Sequence, residues 1–126
     1  MYLKFKKLYD YEGFKIPQKS NYSDACFDVF WNPQDPKAYQ TIAARAISAG
    51  HNYKFETGIA LEISHGFMGL VLNRSSVASN KSVIVGACVI DAGYENQIFI
   101  DHHNIGDEQR VFCPGDKIAQ IAIIPI

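Results

Sequence analysis

The sequence predicts an all-β domain, a barrel or a sandwich. Apolar runs are short enough for strands, turn residues separate them at regular intervals, and helical patterns are scarce. Residues 54–63, KFETGIALEI, alternate, with Phe55, Thr57, Ile59, Leu61 and Ile63 on one face. HGF at 65–67 then turns the chain into a second apolar run, MGLVL at 68–72. SVIVGACVI at 82–90 and NQIFID at 96–101 read as two arms of a hairpin whose end carries Asp91 and Tyr94. RVF at 110–112 and KIAQIAII at 117–124 flank Cys113, Pro114, Gly115 and Asp116, where Pro-Gly marks a turn. Within PKAYQTIAARAIS at 36–48, Asp35 as a cap and Pro36 behind it favour a turn or short helix over 36–40. Residues 41–48 fit a strand.

The 126 residues form one domain, 1–126, with no repeat, low-complexity tract or linker. With 48% hydrophobic and 20% charged residues the chain reads as globular rather than disordered. Twelve Lys and Arg balance thirteen Asp and Glu, which argues against a nucleic-acid duplex as partner. No apolar run approaches the roughly 20 residues of a membrane span, and MYLKFKKLYD does not read as a signal peptide. The expected location is the cytoplasm, a host's if the source is viral. Cys26, Cys88 and Cys113 lack metal-ligand pairing and are expected to be buried reduced thiols.

Several side chains suit phosphate chemistry. Arg74 can fork onto phosphate oxygens, and Ser75 and Ser76 can donate hydroxyls. Asp91 at a hairpin end is a candidate base for a water, and Gln120 is a neutral donor on a strand. Asp24 and Asp28 are hard oxygen ligands suited to the waters of a Mg²⁺ carried by phosphates, although Asp28 reads better as a structural acceptor. His102 and His103 are neighbours on a predicted strand and so point to opposite faces, which argues against a shared metal.

Four blocks, SDACFDV (23–29), NRSSVA (73–78), VGACVIDAGYENQI (85–98) and PGDKIAQI (114–121), together with TGIALEI (57–63), occur in an order and spacing that resembles the trimeric all-β dUTPases and their sister dCTP deaminases. The resemblance covers nearly the whole chain. It implies a distorted jelly-roll β-barrel, a homotrimer with active sites between subunits, and Mg²⁺-dependent hydrolysis of dUTP to dUMP and pyrophosphate. It assigns Asp91 to water activation and Tyr94 to packing under the deoxyribose. Arg74, Ser75, Ser76 and Gln120 fall at phosphate-contacting positions, and Asp24 at the acid that holds metal-bound water. The hairpin from Gly86 to Ile98, including Cys88, Ile90 and Gln97, matches the segment whose backbone reads uracil.

The sequence also departs from that pattern. Cys26 and Cys88 stand where the family has Gly, and Cys88 is expected to add bulk beside the base pocket. Asn96 replaces a Gly and can supply a positive φ. No stretch matches the Arg- and Gly-rich tail that closes over the phosphates in dUTPases, so binding is expected to outlast turnover. A non-enzymatic nucleotide-binding or regulatory member of the fold is therefore one alternative. Deamination of dCTP is another: Asp101 sits where the deaminases carry a catalytic Glu. It is one methylene shorter, however, and Ser79 replaces a deaminase Arg, which favours hydrolysis.

Overall fold

The computed structural model describes residues 2–39 and 44–126. Its regular structure is eleven strands, one short α-helix and one 3₁₀ turn. The strands are β1 (Leu3–Lys7), β2 (Phe27–Phe30), β3 (Arg45–Ile47), β4 (Asn52–Glu56), β5 (Ile59–Ile63), β6 (Phe67–Leu72), β7 (Val83–Val85), β8 (Val89–Ile90), β9 (Phe99–Asn104), β10 (Arg110–Phe112) and β11 (Lys117–Pro125). Helix α1 spans Ser75–Lys81, and the 3₁₀ turn spans Pro36–Tyr39. The architecture is all-β, as the sequence predicts.

The strands form four antiparallel groups. One sheet runs β2-β11-β6-β8 and a second runs β4-β9-β7, while β1 pairs β5 and β3 pairs β10. Long β11 is the spine of the first sheet. It sets Gln120 opposite Asp28 on one side and opposite Leu72 on the other. Strand β9 is the spine of the second, with Lys54 opposite Asp101 and Ile84 opposite His103.

The alternation in 54–63 is correct as a burial pattern: Phe55, Thr57, Ile59, Leu61 and Ile63 are all buried. The strand itself is broken. Gly58 takes φ +71, and a Cβ there would lie 2.5 Å from the Phe14 ring, so only Gly passes the chain from β4 to β5. The single hairpin expected from 82–90 and 96–101 also divides. Val83–Val85 pairs with β9, but Val89–Ile90 leaves for β6. Helix α1 begins at Ser75, inside the 73–78 block. The short helix at 36–40 is found as the 3₁₀ turn, and Arg45–Ile47 realises part of the strand expected over 41–48. Residues 40 and 41–43 lie outside the described residues.

The core is aromatic at its centre. Phe55 packs edge-on against Trp31 (5.1 Å between centroids), Phe112 (4.9 Å) and the imidazole of His102 (5.7 Å), and His102 stacks on Phe112 at 12°. Such pairs contribute about 0.5–1.5 kcal/mol each beyond the area they bury. The cysteines do not join this core. Cys88 and Cys113 are exposed and Cys26 is half-buried. Cys88 and Cys113 border turns rather than core-facing strand positions.

His102 is fully buried. Its Nε2 donates to the Ile118 carbonyl at 2.5 Å; a carbonyl only accepts, so Nε2 carries the proton. Burial pushes the imidazole below its ordinary value of 6.5. The unfolded chain therefore takes up a proton near 6.5 that the folded chain refuses. The stability gained by keeping His102 neutral is complete above about pH 6.5 and declines as pH falls below it. We predict a falling urea midpoint between pH 7 and pH 5, with a shallower fall in His102→Gln. Equal slopes in the two proteins would exclude His102 as a source of the pH dependence.

Candidate functional site

Two concave sites hold most of the sequence-predicted residues. The first is a cavity of about 330 Å³ lined by Lys54, Val71, Ala87, Val89, Ile90, Asp91, Tyr94, Ile98, Phe99 and Asp101. The second is a cleft of about 460 Å³ lined by Ser20, Asp24, Ala25, Cys26, Asp28, Arg74, Ser75, Ser76 and Gln120. No residue lines both.

The cavity exists because β8 leaves β7. Asn73 Oδ1 accepts the Val85 N–H (2.8 Å), the Gly86 N–H donates to the Asp101 carbonyl (2.8 Å), and the Val71 N–H donates to the Cys88 carbonyl (2.7 Å). Those three bonds carry the chain from one sheet to the other. Ala87 and Val89 then face the cavity, while Cys88 between them does not. The expectation that Cys88 crowds the cavity is therefore corrected: its side chain is exposed and is not part of the lining.

Asp91 opens a tight turn, with the Tyr94 N–H donating to its carbonyl at 3.0 Å. This turn needs no left-handed residue. Asn96 does not supply a positive φ; among the described non-glycine residues only Ser82 does, at the C-terminus of α1. The Tyr94 hydroxyl donates to the Gln97 carbonyl (2.8 Å), so the ring folds over its own loop and presents its surface to the cavity. Gln97 is not brought into the cavity. Its Oε1 accepts the Gly58 N–H (2.9 Å) and the Tyr9 hydroxyl (3.3 Å), which ties the loop to the β4–β5 break. Gly86 lies at the entrance to β8 rather than in the lining. A Cβ on it would lie 2.3 Å from His103 Nε2.

Two carboxylates share the cavity, and their surroundings separate their roles. Asp101 Oδ1 accepts from Asn52 Nδ2 (2.8 Å), and its Oδ2 accepts from His103 Nε2 (3.2 Å). Both oxygens of Asp101 are thus engaged. Among the described residues no side chain or backbone donor holds the Asp91 carboxylate, which is exposed at the turn. Lys54, Phe99 and Asp101 line the cavity although they lie outside the sequence blocks. The alternation of 52–56 and 99–103 was the signal that could have placed them on one face.

In the cleft, Asp28 is the hub. Its side chain is 14% exposed, with Arg74 Nε at 3.3 Å and Lys117 Nζ at 3.4 Å, and it accepts from the Ser20 hydroxyl at 3.3 Å. Asp28 thus acts as an acceptor within the fold. Its charge orients the guanidinium of Arg74 in the cleft. Gln120 is fixed by donating Nε2 to the Asn73 carbonyl (2.9 Å). Ser75 and Ser76 open α1; Arg74 at the cap position supplies no side-chain cap bond. Ser79 faces its own helix, donating to the Ser75 carbonyl at 2.6 Å, and takes no place in the cleft. Burial, reinforced by Asp28, raises the Cys26 thiol above its ordinary value, so it is a poor nucleophile.

Asp24 stands at the rim, its Oδ2 accepting the Asn21 N–H at 2.8 Å. Among the described residues no group of three His, Cys, Asp or Glu could hold a metal directly, His102 and His103 included. Among the described residues the other carboxylate oxygen of Asp24 has no donor, and as a hard oxygen it suits a divalent cation or its waters.

The family model for dUTPase matches residues 12–126. The chain belongs to the dUTPase family. It is 34% identical over 82 residues to the deoxyuridine 5'-triphosphate nucleotidohydrolase of Escherichia phage T5, covering 64% of this chain and 55% of that one. It is 33% identical over 107 residues to the fowlpox virus protein of the same name, covering 85% of this chain and 67% of that one. The chain thus spans little more than half the length of the first relative. The Staphylococcus bacteriophage 80alpha dUTPase, solved with dUpNHpp, superposes with a TM-score of 0.81 at 22% identity, covering 99% of this chain and 83% of that one. The all-β fold is therefore that of the dUTPases.

The Gly86–His103 contact tests how the family's loop is held here. Gly86→Ala drives a methyl into the imidazole and is expected to cost about 1–3 kcal/mol of stability by overpacking. In the double variant with His103→Ala the penalty should largely vanish, as denaturant titration of the four proteins would read out. Additive losses would mean that His103 is not what Gly86 accommodates.

Proposed function

We propose that this chain is a dUTP diphosphatase, hydrolysing dUTP to dUMP and pyrophosphate at a site built from the cavity of one copy and the cleft of another. The observation that carries the reading is the contrast between the two cavity carboxylates. Among the described residues nothing donates to the exposed Asp91 carboxylate beside Tyr94, which leaves it available to a water, whereas Asp101 is held on both oxygens.

In this reading the deoxyribose packs on Tyr94, and backbone groups of 86–98 face the base. Arg74, Ser75, Ser76 and Gln120 hold phosphate oxygens. Asp91 orients a water toward the α-phosphorus and accepts its proton. The new P–O bond forms as the bond to the α–β bridging oxygen breaks, and pyrophosphate leaves with that electron pair. Mg²⁺ carried on the phosphates would neutralise charge on the leaving group, and Asp24 would hold one of its waters. The separation of cavity and cleft supports a homotrimer with shared sites. The reaction belongs where the deoxynucleotide pool lies, which is the cytoplasm.

Pyrophosphate release should be fastest with dUTP among the deoxynucleoside triphosphates when Mg²⁺ is present. Asp91→Asn should slow it by about a hundredfold or more at nearly unchanged KM. An Asp91→Asn protein as active as the parent would remove the proposed base. Ammonia release from dCTP that depends on Asp101 would instead support deamination.

Shared sites make a second forecast. Asp91→Asn and Arg74→Ala, each inactive alone, should regain activity when refolded together, because some sites then combine an intact cavity with an intact cleft. Failure of the mixture to exceed its components would mean that both halves come from one copy.

A further inference from the structure

The cleft around Arg74 has an electrostatic deficit. Among the described residues Arg74 is the one cation in its lining, set against Asp24 and Asp28, and it is already engaged with Asp28. A triphosphate brings several negative charges to this place. Immediately beside the cleft lies a second groove of about 490 Å³ that shares Arg74 and Ser76 with it and continues past Asn80 and Lys81 to Phe112, Asp116 and Lys117. Here Arg74 and Lys117 both pair with Asp28 and the lining adds Asp116, so among the described residues of this groove Lys81 is the cation that has no carboxylate partner. That carboxylate, Asp116, already accepts the Cys113 N–H at 2.8 Å.

We propose that this groove is a second anion subsite, which takes the terminal phosphates of the nucleotide and the pyrophosphate released from it. The inference rests on the dUTP reading for its nucleotide ligand, and on the groove alone for pyrophosphate. Lys81 is its principal contact. Its ammonium lies 4.9 Å from the centroid of the Phe112 ring and donates once, to the Val111 carbonyl at 3.2 Å. An ammonium has three donors, so two remain for phosphate oxygens. Its backbone is also fixed, because its carbonyl accepts Arg110 Nε at 3.0 Å. The cation is thus held in place before ligand arrives, and little freedom is lost on binding. Lys117 adds charge from the far wall, but it also neutralises Asp28 and cannot be removed without disturbing Arg74.

The test is Lys81→Met, which keeps the apolar stem over Phe112 and removes the charge, with Lys81→Arg as the conservative control. Calorimetric titration would use three probes at fixed ionic strength: inorganic pyrophosphate, dUMP, and the non-hydrolysable α,β-imido analogue of dUTP with Mg²⁺. Lys81→Met should bind pyrophosphate and the analogue about tenfold more weakly, the range of one charge-assisted hydrogen bond. Its affinity for dUMP should not change, and Lys81→Arg should retain most of the parent's binding. An equal loss for all three probes would overturn the proposal, since that is what general damage to the fold produces. No loss for pyrophosphate or the analogue would overturn it as well. Failure of the dUTP reading looks different: the unaltered protein would not turn dUTP over, whatever Lys81→Met does to pyrophosphate.

Discussion

Residues 83–90 have to serve two sheets at once. Val83–Val85 pairs with β9, and Val89–Ile90 pairs with β6. The transfer between them takes place over Gly86, Ala87 and Cys88, and it is possible only because nothing projects from Gly86 toward His103. Asn73 pins the start of the transfer and Val71 pins its end. Everything at the cavity follows from this crossing. It opens the space between the sheets, brings Ala87 and Val89 to its wall, and leaves Asp91 at the lip. Asn73 also joins the crossing to the cleft, since its carbonyl receives Gln120 and the next residue is Arg74.

The loop after the crossing is held from the opposite side. Gln97 reaches across to Gly58 and Tyr9, and Tyr94 closes onto the Gln97 carbonyl. The cavity wall is therefore clamped at both ends by side chains that need no ligand. A binding site prepared in this way spends little of its affinity on ordering itself. The cleft is prepared by charge instead. Asp28, drawn on by Arg74, Lys117 and Ser20, holds a guanidinium that would otherwise sample many rotamers.

Much of the fold was legible in the sequence. Strict alternation at Phe55, Thr57, Ile59, Leu61 and Ile63 identified a buried face, and Pro114-Gly115 marked the turn before β11. Helix α1 was not legible, for physical reasons. It has seven residues, an Arg at the cap, Ser82 rather than Gly in the left-handed position after it, and one buried side chain, Val77, so no periodicity develops. The division of the 82–101 hairpin escaped because periodicity reports which way side chains face but not which strand lies alongside.

The site was legible as a set of residues and not as a geometry. Asp91, Tyr94 and Ile90 line the cavity, and Arg74, Ser75, Ser76, Gln120 and Asp24 line the cleft. Gln97 lies in the same block yet binds Gly58 instead of lining the cavity, and Lys54 joins the wall only through cross-strand pairing with Asp101, which no block encodes. Cys88 shows what the outward face of that crossing offers. Its carbonyl is locked into the sheet while its thiol stands in solvent, three residues from Asp91. A fluorophore attached there, with Cys113 replaced, would ride on the wall of the cavity without entering it, giving an optical gauge of whether this loop stays still when a nucleotide arrives.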